Sequence, residues 1–194
     1  MLTLKTDMKQ YWYAKELVQN GNFGRRGEFD GNYDQQLLGM LAQTIVADYF
    51  GIPRPVDNGK ADGGVDYRLA GHTIDIKTMG RTVDMQDHFV HNLYGAQAKF
   101  NTDILLFASY NKRKDELTVC GWLPKQDFLT KATFYESGTV RHRDNGTSFT
   151  VRGKHGNYEI PQTELNAFNN GTEFLLRLYD NWLKNRKGVS SNAK

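Results

Sequence analysis

Apolar positions recur along this chain in two rhythms, a helical one near both ends and an alternating one in the middle. The run Tyr11-Trp12-Tyr13-Ala14-Lys15-Glu16-Leu17-Val18 predicts a short helix, closed by Asn20-Gly21. After the glycine-flanked pair Arg25-Arg26, a longer helix is expected over 34–50. There Leu37, Leu38, Leu41, Ala42, Ile45, Val46 and Tyr49 cover far more than one stripe, so the helix should be mostly buried, and Gly51 and Pro53 stop it. The segment 57–64 is rich in Asn, Asp and Gly and reads as a turn. Two short runs, 65–70 and 72–78, meet at Gly71 as a β-hairpin. In the second, Ile74 and Ile76 alternate with Asp75 and Lys77, so one face is core and the other carries an acid and a base.

Phe89, Leu93, Ala96 and Phe100 fall at helical spacing and predict a helix over 86–100. Strands are expected over 102–109 and 117–123, separated by the basic turn Asn111-Lys112-Arg113-Lys114-Asp115. The uninterrupted Ile104-Leu105-Leu106-Phe107 predicts a central strand buried on both faces. Between Phe134 and Tyr158 the chain turns basic and turn-rich, with Asp144-Asn145-Gly146 as a hairpin tip. A last helix is expected over 173–187 and a frayed tail over 188–194. The class is α/β, with a mixed central sheet flanked by helices, a basic C-terminal hairpin and a terminal helix. One domain spans 1–194, with a core over about 34–123 and an elaboration over about 124–187; 194 residues suit a single core.

Composition narrows the options. A single cysteine, Cys120, allows neither an internal disulfide nor a four-cysteine zinc site. The longest apolar run, Ile104 to Ala108, is too short to span a bilayer, and the first ten residues hold no apolar signal core, so a cytoplasmic, membrane-free setting is expected. Net charge is only +3, but residues 1–110 carry 11 basic and 13 acidic side chains, whereas 111–194 carry 14 and 9. That asymmetry suits a carboxylate site beside a surface that attracts an anion.

The constellation with the most chemistry is Asp66, Asp75 and Lys77. Hydrolysis of a phosphodiester calls for an oxygen-rich site for Mg²⁺, for which Mn²⁺ substitutes, and two carboxylates on adjacent strands supply it. A lysine two residues beyond the second acid projects from the same face, where it can orient water or neutralise charge on the phosphate. A second acid-x-Lys, Asp7-Met8-Lys9, lacks a preceding acid on a partner strand and is set aside as a frayed terminus. His88 and His91, three apart on the expected helix, form a weaker metal motif. Gln97 on that helix is a polar candidate facing the site, and Trp12, Trp122 and Trp182 are expected to be core or interface anchors.

The order of elements, with Gly64-Val65-Asp66-Tyr67 followed by Ile74-Asp75-Ile76-Lys77, resembles the PD-(D/E)XK nuclease superfamily over roughly residues 34–123. The resemblance implies a restriction-endonuclease-like sheet. It implies that Asp66 and Asp75 are metal-binding acids, the Ile76 backbone carbonyl a further ligand and Lys77 the catalytic lysine. Gln43 stands where members often carry a helix glutamate, and Val65 stands where the family name expects proline. The family core has three antiparallel strands before its second helix; only two are evident here, and residues 52–57 are a candidate for the first.

The resulting expectation is a Mg²⁺-dependent DNA endonuclease of a prokaryotic cell or phage-infected host. Cutting both strands favours a homo-oligomer, a dimer or higher. Arg25, Arg26, Arg141, Arg143, Arg152 and Lys154 are the expected phosphate contacts. Two alternatives stand beside it: a non-catalytic nucleic-acid-binding or assembly protein on the same fold, with Gln43 marking a decayed site, and an RNA nuclease.

Overall fold

The computed structural model describes residues 1–21, 31–57, 63–142 and 146–191, with side chains described as far as 184. Arg25, Arg26 and Arg143 lie outside these residues, as do Asp144 and Asn145 of the expected hairpin tip. In chain order the elements are β1 (Leu2–Lys5), α1 (Met8–Asn20), α2 (Tyr33–Phe50), β2 (Tyr67–Leu69), β3 (His72–Arg81), β4 (Val90–Tyr94), a 3₁₀ turn (Gly95–Lys99), β5 (Ile104–Asn111), β6 (Glu116–Pro124), α3 (Lys125–Lys131), β7 (Thr133–Tyr135), β8 (Val140–His142), β9 (Ser148–Thr150), β10 (Asn157–Pro161), a second 3₁₀ turn (Gln162–Glu164) and α4 (Gly171–Ser191).

Local sequence explains the helix ends. At α1, Asp7 accepts from the Gln10 N–H at 2.8 Å while the Gln10 side chain accepts from the Asp7 N–H, a reciprocal capping box. The segment expected to be frayed is therefore a cap. Asn32 and Gln35 repeat the device at α2, which ends at Gly51 in the left-handed conformation, φ 63°. Between β2 and β3, Ala70 and Gly71 both have positive φ, 49° and 80°, the signature of a two-residue type I′ hairpin turn.

Five strands form a mixed sheet in the order β1-β6-β5-β3-β2. Only the central pair, β3 with β5, runs parallel; the other pairs are antiparallel. β5 is buried at all eight positions, as its apolar run requires, and its side chains alternate between two cores. Ile104, Leu106, Ala108 and Tyr110 face α1, α2 and α4, meeting Ala14, Leu41, Ile45, Val46, Phe174 and Leu178. Leu105 and Phe107 face the other way, toward Leu93, Cys120, Phe128 and Ile160. This second core is covered by α3 and by a three-stranded sheet in the order β4-β10-β7, beside the β8-β9 hairpin. No helix among the described residues is long and apolar enough to cross a membrane.

Three expectations are corrected. Residues 86–100 form a strand and a 3₁₀ turn instead of a helix. His91 and Leu93 alternate inward while β10 pairs with the whole of β4, from Asn157↔Tyr94 to Pro161↔Val90. Hydrogen bonds to a partner more than sixty residues away override the local spacing, although Leu93 and Ala96 are indeed buried. No strand forms at 52–57; the additional strand of the sheet is β1, where Leu2 and Leu4 alternate with Thr3 and Lys5 and pack on the helical core. α4 continues beyond 187 to Ser191.

The histidine motif also changes meaning. His88 is exposed, whereas His91 is wholly buried, with Nε2 2.7 Å from Gln162 Oε1. Because Gln162 donates its own amide to the Cys120 carbonyl, its oxygen faces the imidazole, which must carry its proton on Nε2. Burial pulls the His91 pKa from 6.5 down to about 4. A pKa depressed on folding leaves the stability contribution intact above pH 6.5 and removes it as pH falls toward 4, a loss of about 3 kcal/mol. In urea unfolding, wild type is expected to lose about that much more stability between pH 7 and pH 4 than His91→Gln does. Equal losses would show that His91 is not held neutral.

Candidate active site

The site forms at the outer edge of β3. β2 reaches only Leu69 to Tyr67 along it, so from Asp75 onward β3 has no partner strand on that side among the described residues. Chain direction is kept past β2 by the Asp66 N–H, which donates to the Ile74 carbonyl at 2.9 Å. Asp66 thus lies just before β2, bonded to the residue of β3 that immediately precedes Asp75. Two carboxylates near one sheet edge are unfavourable unless something compensates.

Several groups compensate. Asp66 Oδ2 accepts from the Ile76 N–H at 2.7 Å, and Oδ1 accepts from Gln43 Nε2 at 2.8 Å. A strand residue directs its N–H and C=O to the same side, so the Ile76 carbonyl points to the edge where Asp66 lies. Asp75 is 4% exposed, and its Oδ2 forms an ion pair with Lys77 Nζ at 2.8 Å. Both project from the face of β3 that carries Leu105 and Phe107 of β5 as neighbours, at the margin of the second core. Sequence alternation had placed them together, and the structure does the same.

Gln43 is brought into the cluster from α2, where a run of seven buried residues, Leu41 to Ala47, presses the helix on the sheet. Its position is fixed from both ends, because the Tyr67 hydroxyl donates to the Gln43 carbonyl at 2.8 Å. Burial raises the Tyr67 pKa well above the usual phenol value, so it remains a proton donor. Tyr67 sits within the Gly64-Val65-Asp66-Tyr67 motif, but its sequence position alone signals no such role. Lys125 is a second residue that sequence reasoning missed. Burial lowers its pKa, opposed by the Asp75 carboxylate and reinforced by Lys77, which places its charge within the field of this cluster. Nothing local in Pro124-Lys125-Gln126 signals this, since the neighbours come from β3 and the turn after β4.

The donor set can be tested against a hard cation. Asp66, Asp75 and the Ile76 carbonyl offer oxygen only. No group of three or more His, Cys, Asp or Glu side chains is gathered among the described residues. Two carboxylates with one carbonyl, the remaining positions left to water and phosphate oxygen, match the way Mg²⁺ is usually bound. The set fits.

Of the expected phosphate contacts, the described ones, Arg141, Arg152 and Lys154, all belong to the segment after β7, away from β2 and β3 in the fold. Arg141, on β8, pairs with the buried Glu159 at 3.2 Å and lies over the Tyr135 ring at 3.9 Å, so it anchors its hairpin to the second sheet. Arg152 and Lys154 are exposed. Lys154 lines an open cavity of about 410 Å³ with Phe134, Glu136, Ser137, His155 and Gly156. The Gly95 N–H donates to the Gly156 carbonyl at 3.0 Å, tying that surface to the 3₁₀ turn. Gln97 reaches the site region through its backbone carbonyl, which accepts from Lys125. Of the tryptophans, Trp122 is core, Trp182 packs over Gly71, and Trp12 is exposed beneath the Lys15 ammonium.

Compared with known proteins, the chain matches no family model, no curated protein and no solved structure.

The Gln43–Asp66 contact makes a sharp prediction. Gln43→Glu places a carboxylate at hydrogen-bond distance from another, so one of them must hold a proton and its pKa rises. A pKa raised by folding costs stability as pH climbs. The variant is expected to lie about 1–3 kcal/mol below wild type at pH 8 and to recover most of that at pH 5, by urea unfolding without metal. A penalty equal at both pH values would contradict the contact.

Proposed function

We propose that this protein is a metal-dependent DNA endonuclease with a restriction-endonuclease-like core. The observation that carries the reading is the Asp66 carboxylate bonded to the N–H of Ile76, the residue between Asp75 and its ion-pair partner Lys77, with the Gln43 amide of the preceding helix on the other Asp66 oxygen. The order of elements supports it: a buried helix, an acid immediately before the short strand β2, a strand carrying Asp-x-Lys, then a parallel neighbour. The connection from β3 to β5 departs from the family's second helix, since β4 and a 3₁₀ turn occupy it.

Asp66 and Asp75 would hold the cation, with Ile76 contributing its carbonyl. Bound Mg²⁺ supplies Lewis-acid stabilisation of phosphate charge and lowers the pKa of a coordinated water. Lys77, at present paired with Asp75, lies where its ammonium orients the attacking water and offsets the charge that builds on the phosphate oxygens. Asp66 keeps its orientation through the Ile76 N–H and the Gln43 amide. Exposed Arg152 and Lys154 attract the backbone without reading sequence. Cleavage of both strands by one site per subunit favours a homo-oligomer.

Gln43 supports a second reading. A neutral amide donating to Asp66, where a helix acid is expected, fits a non-catalytic DNA-binding protein on the same core.

Supercoiled plasmid separates the two. Wild type with Mg²⁺ or Mn²⁺ is expected to nick or linearise it, EDTA to abolish the reaction, and Lys77→Ala to slow it by at least about 100-fold. Retarded but uncut DNA in every metal would favour the non-catalytic reading, and cleavage confined to RNA would change the substrate class.

A further inference from the structure

Lys125 is 6% exposed, an unusual place for an ammonium. Its Nζ donates to the Gln97 carbonyl at 3.0 Å and to the Phe100 carbonyl, and its backbone N–H donates to the Asp103 carbonyl at 2.8 Å. One residue at the head of α3 therefore fastens the segment 97–103 at three points. Burying a cation costs free energy unless it is well bonded, and an apolar side chain of similar length would leave two carbonyls without this donor.

What that segment touches gives the contact its meaning. Thr102 Oγ1 donates to the Gly64 carbonyl at 2.5 Å, and the Phe100 ring lies so close on Gly64 that no Cβ would fit there. Gly64 precedes Asp66 by two residues. At the other end, the Asp103 carboxylate accepts from both the N–H and the hydroxyl of Thr73, each at 2.8 Å. Thr73 precedes Asp75 by two residues. The segment that Lys125 fastens thus contacts both stretches of chain that lead into the two acids.

We propose that Lys125 is a positioning residue of the acidic site, locking 97–103 so that Gly64 and Thr73 deliver Asp66 and Asp75 in fixed register. It rests on the metal-site reading above. Lys125 touches neither substrate nor metal in this assignment; it acts through Gly64 and Thr73. Removing its bonds leaves the ligands present but loosens their mutual placement, the kind of indirect loss that outer contacts of metal ligands produce.

The test uses the full chain, with Mn²⁺ binding followed by calorimetry and plasmid nicking in parallel, for Lys125→Met, Thr102→Val, their double variant and Thr102→Ser. Each of the first two is expected to weaken Mn²⁺ binding about 10–100-fold and to lower kcat with KM for DNA little changed. The double variant should bind no worse than Lys125→Met alone, because the Thr102 bond to Gly64 is one of the two links that Lys125 fastens, and Thr102→Ser should restore wild-type binding. A folded Lys125→Met that binds Mn²⁺ like wild type overturns the assignment. If Lys125→Met does not fold, wild-type binding by Thr102→Val overturns it equally. Wild type that binds no Mn²⁺ overturns the metal-site reading itself, an outcome distinct from a wild type and variants that all bind alike.

Discussion

The Ile76 N–H lies on a sheet edge with no strand beside it among the described residues, and the Asp66 carboxylate bonds it at 2.7 Å. A backbone donor at this depth calls for a partner, so a side chain does here what a strand does elsewhere. The arrangement follows from how short β2 is. Three residues after a type I′ turn, the pairing stops, and the chain at Asp66 bends its carboxylate onto the next exposed amide. The Gln43 amide then takes the other oxygen, which ties the sheet edge to α2. The acid that closes the edge is the same acid assigned to the metal, so sheet integrity and site geometry share one group.

The layers behind that edge explain why the site is held firmly. β5 divides two cores, and its parallel pairing with β3 presents the Asp75 and Lys77 face to the second core while Ile74 and Ile76 face the helices. Asp75 is consequently almost wholly buried and needs a cation close by, which Lys77 supplies. The helical side stiffens the arrangement through Tyr67 and Gln43; the other side does so through the segment between β4 and β5. The two acids are approached by chain that is fixed from both layers.

Much of this was legible in the sequence because it is local. The buried helix α2, the hairpin at Gly71, the doubly buried β5 and the common face of Asp75 and Lys77 all follow from periods of 3.6 or 2 and from turn chemistry. Gln43 was found through the resemblance, and its contact with Asp66 gives it a physical role. What escaped was non-local. Residues 86–100 have a helical spacing of apolar side chains, yet β10 captures Val90–Tyr94 as a strand. β1 hides in a polar-looking terminus because only alternate residues are apolar and its partner β6 lies more than a hundred residues away. Lys125 reads as a surface lysine until the packing of α3 places it under the turn. Arg141 reads as a phosphate contact until Glu159 is seen buried beside it.

The central claim is that Asp66, Asp75 and the Ile76 carbonyl together form a divalent-cation site. Anomalous diffraction from crystals grown or soaked with Mn²⁺ addresses it directly, because the signal locates the ion independently of any activity. The account predicts one strong peak within coordination distance of both carboxylates and the Ile76 carbonyl, with the Lys77 ammonium displaced from Asp75. A peak elsewhere, or none at saturating Mn²⁺ with the Lys77–Asp75 pair intact, would contradict it.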